Sequence, residues 1–233
     1  MIIGILQADS VLPQLQENHG DYPGMFVDLL SATGEDLQFR YYNVEAMTYP
    51  VDVDECDGYL ITGSKQSVYD QDSWIQRLGE FVVILNEREK PTIGVCFGHQ
   101  LLAHFLGGQT QAAPVGWGVG VHQSRIVGAA PFMSPYKESV RLVVSHKDQV
   151  IAPPRGAEVI ASSDFCPVSM FTLGEHIMGM QGHPEFSKGY SLDMMGYRRE
   201  ILGEETYTEG VDSLSTPVDA DVVRAWMINF WSP

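Results

Sequence analysis

Apolar residues in the first hundred positions alternate between two spacings. Ile2-Ile3-Gly4-Ile5-Leu6 is a nearly continuous apolar run, the signature of a strand covered on both faces, and predicts a first strand from Ile2 to Gln7. Met25, Phe26, Leu29 and Leu30 recur at helical intervals and predict a helix from Tyr22 to Leu30, ended by Gly34. Gln38 to Val44 reads as a second strand, and Asp57 to Gly63 as a third that stops at its glycine. Ser73 is placed to cap a helix carrying Trp74, Leu78, Phe81, Val82 and Leu85, closed by Lys90-Pro91. A β-prone run from Pro91 to Val95 follows, then Leu101, Leu102, Phe105 and Leu106 at helical spacing up to Gly107-Gly108. Strand and helix in alternation predict a parallel sheet with helices on both faces. Sites in such sheets lie beyond the carboxyl ends of the strands.

After Gly108 the pattern changes. Val119 to Val127, Val140 to Ser145 and Ala157 to Ser162 read as strands joined by Pro- and Gly-rich turns. Val168 to Leu173 and His176 to Gln181 flank Gly174-Glu175, a hairpin signal. Ser187 to Leu202 is a helical stretch, Gly203 to Asp221 an acidic, weakly patterned segment expected to be an exposed loop, and Asp219 to Trp231 a final helix. With no repeat, low-complexity tract or linker, one domain over residues 1–233 is expected.

Composition narrows the function classes. The net charge of −16 disfavours nucleic acid and anionic lipid surfaces as partners. No apolar run is long enough to span a membrane, and the N-terminus lacks the basic region of a signal peptide. Cys56, Cys96 and Cys166 are odd in number and irregular in spacing, which argues for a reducing, cytoplasmic setting over a disulfide framework. No metal-ligand spacing and no Gly-x-x-x-x-Gly-Lys phosphate loop occur, so no metal or cofactor is expected.

The chemistry concentrates in two stretches. Gly94-Val95-Cys96-Phe97-Gly98 lies where a strand pattern gives way to a helix pattern, the thiol counterpart of a nucleophile elbow. The glycines allow the tight turn, the helix dipole favours a thiolate there, and the Phe97 N–H points towards a developing oxyanion. Gly182-His183-Pro184-Glu185 follows another apolar strand. His183 can serve as general base, and Glu185, two residues on in an extended segment, can orient it. His99 and His104 sit on the elbow helix at positions unsuited to act on Cys96. His19, His122 and His176 have no partner in sequence, and Cys56 and Cys166 belong to no motif. Met178 and Met180 alternate along a strand and read as core.

Together, Gly94-Val95-Cys96-Phe97-Gly98-His99-Gln100 and the distant Gly182-His183-Pro184-Glu185 resemble the class I glutamine amidotransferases. The nearest flavour is the stand-alone, GMP-synthetase-like branch that also holds gamma-glutamyl peptidases. Gly20-Asp21-Tyr22-Pro23, Gly116-Trp117-Gly118-Val119-Gly120 and Ser145-His146-Lys147-Asp148-Gln149-Val150 agree with it. The resemblance implies a flavodoxin-like three-layer α/β/α fold with a mostly parallel sheet and an added antiparallel region. It implies a Cys96, His183, Glu185 triad, with an oxyanion hole from Ser64 and the Phe97 N–H. The family usually reads Gly-Gly-Pro where this chain has Gly63-Ser64-Lys65; the donor being a backbone N–H, Ser64 is expected to serve. Gly63 and Gln100 match substrate-contacting positions, and Ser145 and Lys147 match a segment whose main chain holds the α-amino and α-carboxylate ends of glutamine. The implied substrate is glutamine or another γ-glutamyl compound. Three functions compete: a glutaminase feeding ammonia to a separate synthetase, a self-contained γ-glutamyl peptidase, and a catalytically idle binding module. The related superfamily of peptidases that places His directly after the elbow cysteine fits less well, because Phe97 stands there.

Overall fold

The computed structural model describes residues 1–32, 34 and 36–232; Thr33, Glu35 and Pro233 lie outside them. The strands are β1 (Ile2–Gln7), β2 (Gln38–Asn43), β3 (Gly58–Ile61), β4 (Thr92–Val95), β5 (Gln109–Ala112), β6 (Gly118–Ile126), β7 (Ser139–His146), β8 (Asp148–Ala152), β9 (Glu158–Ser162), β10 (Met170–Leu173) and β11 (Ile177–Met180). The helices are α1 (Pro13–His19), α2 (Tyr22–Ser31), α3 (Ser73–Glu87), α4 (Phe97–Phe105), α5 (Lys188–Tyr197), α6 (Arg199–Leu202), α7 (Glu204–Ser213) and α8 (Ala220–Trp231).

A nine-stranded sheet runs in the order β2-β1-β3-β4-β11-β10-β9-β6-β7. From β2 to β11 neighbours are parallel; from β11 to β7 they are antiparallel. β5 and β8 form a separate antiparallel pair. This is the three-layer α/β architecture expected, antiparallel region included. Alternation along the strands divides the core. Leu6, Tyr59, Ile61 and Ile177 face α3 and α4, packing with Trp74, Leu78, Val82 and Leu101. Ile3, Ile5, Leu60, Ile93, Met178 and Met180 face α2 and α8, packing with Phe26, Leu30, Trp226 and Phe230. No helix of the described residues is long and apolar enough to cross a membrane.

Several expectations are corrected. Residues 203–221 are not a loop, since α7 occupies most of the segment. Its pattern is weak because it docks through small residues. A Cβ on Gly210 would lie 2.8 Å from Val119 Cγ2, and one on Gly120 2.5 Å from the Gly210 carbonyl. Tyr207, Val211 and Leu214 then complete a small cluster with Val119, Met195 and Leu202. The helical stretch 187–202 is broken at Arg198 into α5 and α6. Asp72, not Ser73, holds the cap position of α3, without a side-chain cap bond. The histidines that lacked partners find them across the fold: His19 lies 2.7 Å from Asp193, His176 3.0 Å from Asn86, and His122 packs edge-on against Phe165.

Candidate active site

The neighbouring strands β1, β3, β4 and β11 all end at one rim, and each hands a segment to the same cleft. β4 delivers Cys96, which leads into α4 with φ 53° and ψ −103°. That is left-handed backbone on a residue with a side chain, a strain of about 1–3 kcal/mol of the kind found at functional sites. The flanking glycines make it possible. A Cβ on Gly94 would lie 2.4 Å from the carbonyl carbon of Gly98, and one on Gly98 would lie 2.5 Å from the Ile61 carbonyl oxygen. Cys96 N–H donates to the Met180 carbonyl at 2.9 Å, tying the elbow to β11. Phe97 is the first residue of α4, so its N–H has no acceptor within the helix. Cys96 is 5% exposed and lines the cleft.

β11 delivers His183 and Glu185. The His183 N–H donates to the Val143 carbonyl at 2.8 Å, bridging to β7, and the ring stacks on Phe186 at 3.8 Å and 7°. Nδ1 lies 2.7 Å from Glu185 Oε1, with both side chains buried. This leaves Nε2 for the cysteine side of the ring. The point where a Cβ would sit on Gly63 lies 3.1 Å from His183 Cε1 and 3.7 Å from Cys96 Cβ, so the two side chains meet beneath that glycine. Burial alone would lower the His183 pKa, but the charges of Glu185 and Cys96, with hydrogen bonds to both, raise it to about 10.

β3 delivers Gly63-Ser64-Lys65. Where the family has proline, this chain ties the loop down with a charge. Asp9, just past β1 and buried, accepts from the Lys65 N–H at 2.9 Å, from Lys65 Nζ at 2.7 Å and from the Ser10 N–H at 2.8 Å. Asp9→Ala is therefore expected to loosen the Ser64 amide. Loss of a whole oxyanion donor costs about 10²–10³ in kcat, so a donor merely loosened predicts a fall of about tenfold, with KM changed less. Steady-state kinetics on a γ-glutamyl substrate checks it.

The cleft has a volume of about 490 Å³, within the range of about 300–1,000 Å³ typical of small-ligand sites. Seven of the nine candidate positions border it, namely Cys96, His183, Gly63, Ser64, Gln100, Ser145 and Lys147, whereas Glu185 and Phe97 do not. Gln100 is buried and its amide nitrogen is committed, donating to the Asp148 carbonyl at 2.8 Å and to Gln181 Oε1 at 3.0 Å. Lys147 lies at the bend between β7 and β8, and its carbonyl accepts from the Ala113 N–H at 2.7 Å. The Ser145 carbonyl lies 4.0 Å from Cys96 Sγ. His99 and His146 are buried, and burial pushes each down to about 3, so both are neutral imidazoles. Burial raises the Cys166 thiol to about 12. Among the described residues no group of three or more His, Cys, Asp or Glu is arranged to hold a metal. Sequence reading passed over Asp9 and Arg198. Asp9 could have been flagged by its place just beyond a parallel strand; Arg198 carried no signal.

The fold compares closely with solved structures. A glutamine amidotransferase from Thermotoga maritima superposes with a TM-score of 0.76, covering 99% of this chain and 96% of that one, at 17% identity, which speaks for the fold alone. The family model for class-I glutamine amidotransferases matches residues 17–195, and the chain belongs to that family, as an enzyme of its type. Gamma-glutamyl peptidase 2 of Arabidopsis thaliana is 30% identical over 221 residues, 92% of this chain and 88% of that protein. A subunit of the glutamine-hydrolyzing GMP synthase of Saccharolobus solfataricus is 32% identical over 130 residues, 55% of this chain and 67% of that protein.

Proposed function

We propose that the chain is a self-contained hydrolase of γ-glutamyl amides, using Cys96 as nucleophile, His183 as acid and base, and Glu185 to orient the imidazole. The observation that supports this reading is the His183–Glu185 contact at 2.7 Å, which occupies Nδ1 while the His183 ring and Cys96 both pack under Gly63. With the proton resting on the imidazole, the Cys96 sulfur attacks the γ-carbonyl carbon as an anion. A C–S bond forms, and the oxygen takes the displaced electron pair, met by the N–H groups of Phe97 and Ser64. The C–N bond then breaks as nitrogen takes the proton from Nε2, and the amine leaves. Water gives a proton to Nε2 and attacks the thioester carbon. The C–S bond breaks, releasing the γ-carboxyl product and restoring the sulfur anion. Gln100, its amide nitrogen already committed, has its carbonyl oxygen left for the substrate α-amino group.

Two features favour a peptidase over an ammonia-producing subunit. The cleft has room beyond a free amino acid, and similarity to the gamma-glutamyl peptidase extends over nearly the whole chain. The shorter match to a GMP synthase subunit favours the second reading, a glutaminase serving a synthetase through the same residues. Turnover by the purified chain alone separates them. Glutamate release from a γ-glutamyl dipeptide at higher kcat/KM than from glutamine is the expected result. Silence on dipeptides, with glutamine hydrolysis appearing only when a synthetase is added, would transfer the assignment to the second reading.

A further inference from the structure

The polar groups behind Gln100 are ordered by one backbone carbonyl. The Asp148 carbonyl accepts from Gln100 Nε2 at 2.8 Å and lies 3.0 Å from His146 Nδ1. A carbonyl only accepts, so His146 carries its proton on Nδ1 and leaves Nε2 bare. Burial keeps that imidazole neutral. The same carbonyl takes one hydrogen of the Gln100 amide, and the other goes to Gln181 Oε1 at 3.0 Å. Gln181 therefore turns its own amide nitrogen away from Gln100. His146 and Gln181 are both buried, and neither His146 Nε2, an acceptor, nor Gln181 Nε2, a donor, has a hydrogen-bond partner among the described residues. Buried polar groups in native proteins are nearly always satisfied, by protein or by water.

Both residues border one small cavity beside the antiparallel strands β6, β7 and β10, with Leu142 and Ser169 next to them. Its volume is about 20 Å³, and one water needs about 10–15 Å³ counted in the same way, as space for its centre. The two nitrogens also fix the chemistry of an occupant. A cation would suit His146 Nε2 and be repelled by the Gln181 amide hydrogens; an anion would meet the reverse. A water accepts from Gln181, donates to His146 and keeps a second hydrogen for Ser169 Oγ, whose own proton goes to the Cys166 carbonyl at 3.2 Å. His122 and Cys166 border the cavity too, but among the described residues no three groups of this kind are placed to hold a metal.

Resting on the hydrolase reading above for its substrate, we propose that one buried water joins His146 to Gln181, closing a ring that holds the Gln100 amide with its carbonyl oxygen towards the α-ammonium group of the γ-glutamyl substrate. Gln181 and His146 are thus positioning residues that act through Gln100. The Ser145 end of the neighbouring segment is held separately, by Arg198 Nη1 donating to Ser145 Oγ at 3.0 Å, so opening the ring should leave it in place. A high-resolution crystal structure is the first test. A water within hydrogen-bond distance of both His146 Nε2 and Gln181 Nε2 is expected, and a dry cavity would overturn the proposal. Calorimetry then compares Cys96→Ala with Cys96→Ala carrying Gln181→Met, on γ-glutamylglycine and on glutarylglycine, which lacks only the α-amino group. Methionine fills the place of Gln181 without an amide, so the water loses its donor and Gln100 its anchor. Binding of γ-glutamylglycine should weaken about tenfold, and that of glutarylglycine by less than about twofold. Equal weakening of both would make Gln181 a support of the fold, and no change would mean that Gln100 needs no anchor; either result overturns the proposal. Binding of neither ligand to Cys96→Ala would overturn the ring's role together with the hydrolase reading. The water and the selective loss, with no cleavage of γ-glutamyl amides by wild type, would leave the ring standing and sink the hydrolase reading alone.

Discussion

Cys96→Ala is expected to lower glutamate release from every γ-glutamyl substrate by about 10⁴-fold or more, because removing a nucleophile disables the group that works with it. The folded state should survive, since the substitution removes one sulfur from the floor of an open cleft and leaves the surrounding packing in place. The elbow geometry adds a second expectation. Alanine at position 96 keeps a side chain at φ 53°, whereas glycine tolerates that backbone. Cys96→Gly should thus be as inactive as Cys96→Ala yet more stable, by about 1–2 kcal/mol. Thermal melts of the two variants side by side read that difference, and product assays read the loss. Residual turnover by Cys96→Ala above a tenth of wild type would remove the nucleophile assignment. Equal melting of the two variants would remove the claim that the elbow stores strain.

That strain is foreshadowed in the chain itself, because Gly94 and Gly98, each two residues from Cys96, clear the space that a sharp strand-to-helix turn requires. The parallel half of the sheet is equally legible, since β1, β3, β4 and β11 are apolar runs bounded by turn residues and need no tertiary context. What escapes are elements whose pattern is completed only by neighbours. The strand β5, Gln-Thr-Gln-Ala, is mostly polar and exposed, and is recognisable only from its pairing with β8. The helix α1 has no buried residue at all. The helix α7 reads as a loop until Gly120 and Gly210 are seen packed together. At the site, motif spacing brings Cys96, His183 and Glu185 forward as candidates. It is silent on Asp9, whose contribution is one carboxylate reaching across 56 residues of chain to Lys65.

Glu185→Gln is the second large effect, and its pH dependence carries more information than its size. In the wild type the imidazole pKa is raised to about 10 against burial, with the Glu185 charge the first of the opposing influences. Removing that charge leaves only the Cys96 side to oppose burial, so the His183 pKa should fall. If the imidazolium is the acid that protonates the leaving nitrogen, activity is lost as pH rises through its pKa. The alkaline limb of kcat/KM should then lie near pH 10 in the wild type and move towards neutrality in Glu185→Gln, with a drop of about 10²–10⁴ at pH 8. Stability must follow the same proton. A histidine whose pKa is higher folded than unfolded contributes stability that is complete below about pH 6.5 and declines as pH rises through about 10. Between those limits denaturant unfolding of the wild type should show a declining His183 contribution that is reduced in the glutamine variant. A limb that stays in place when Glu185 loses its charge would mean that another group sets the profile, and the carboxylate would then be a packing partner of the ring with no hold on its proton.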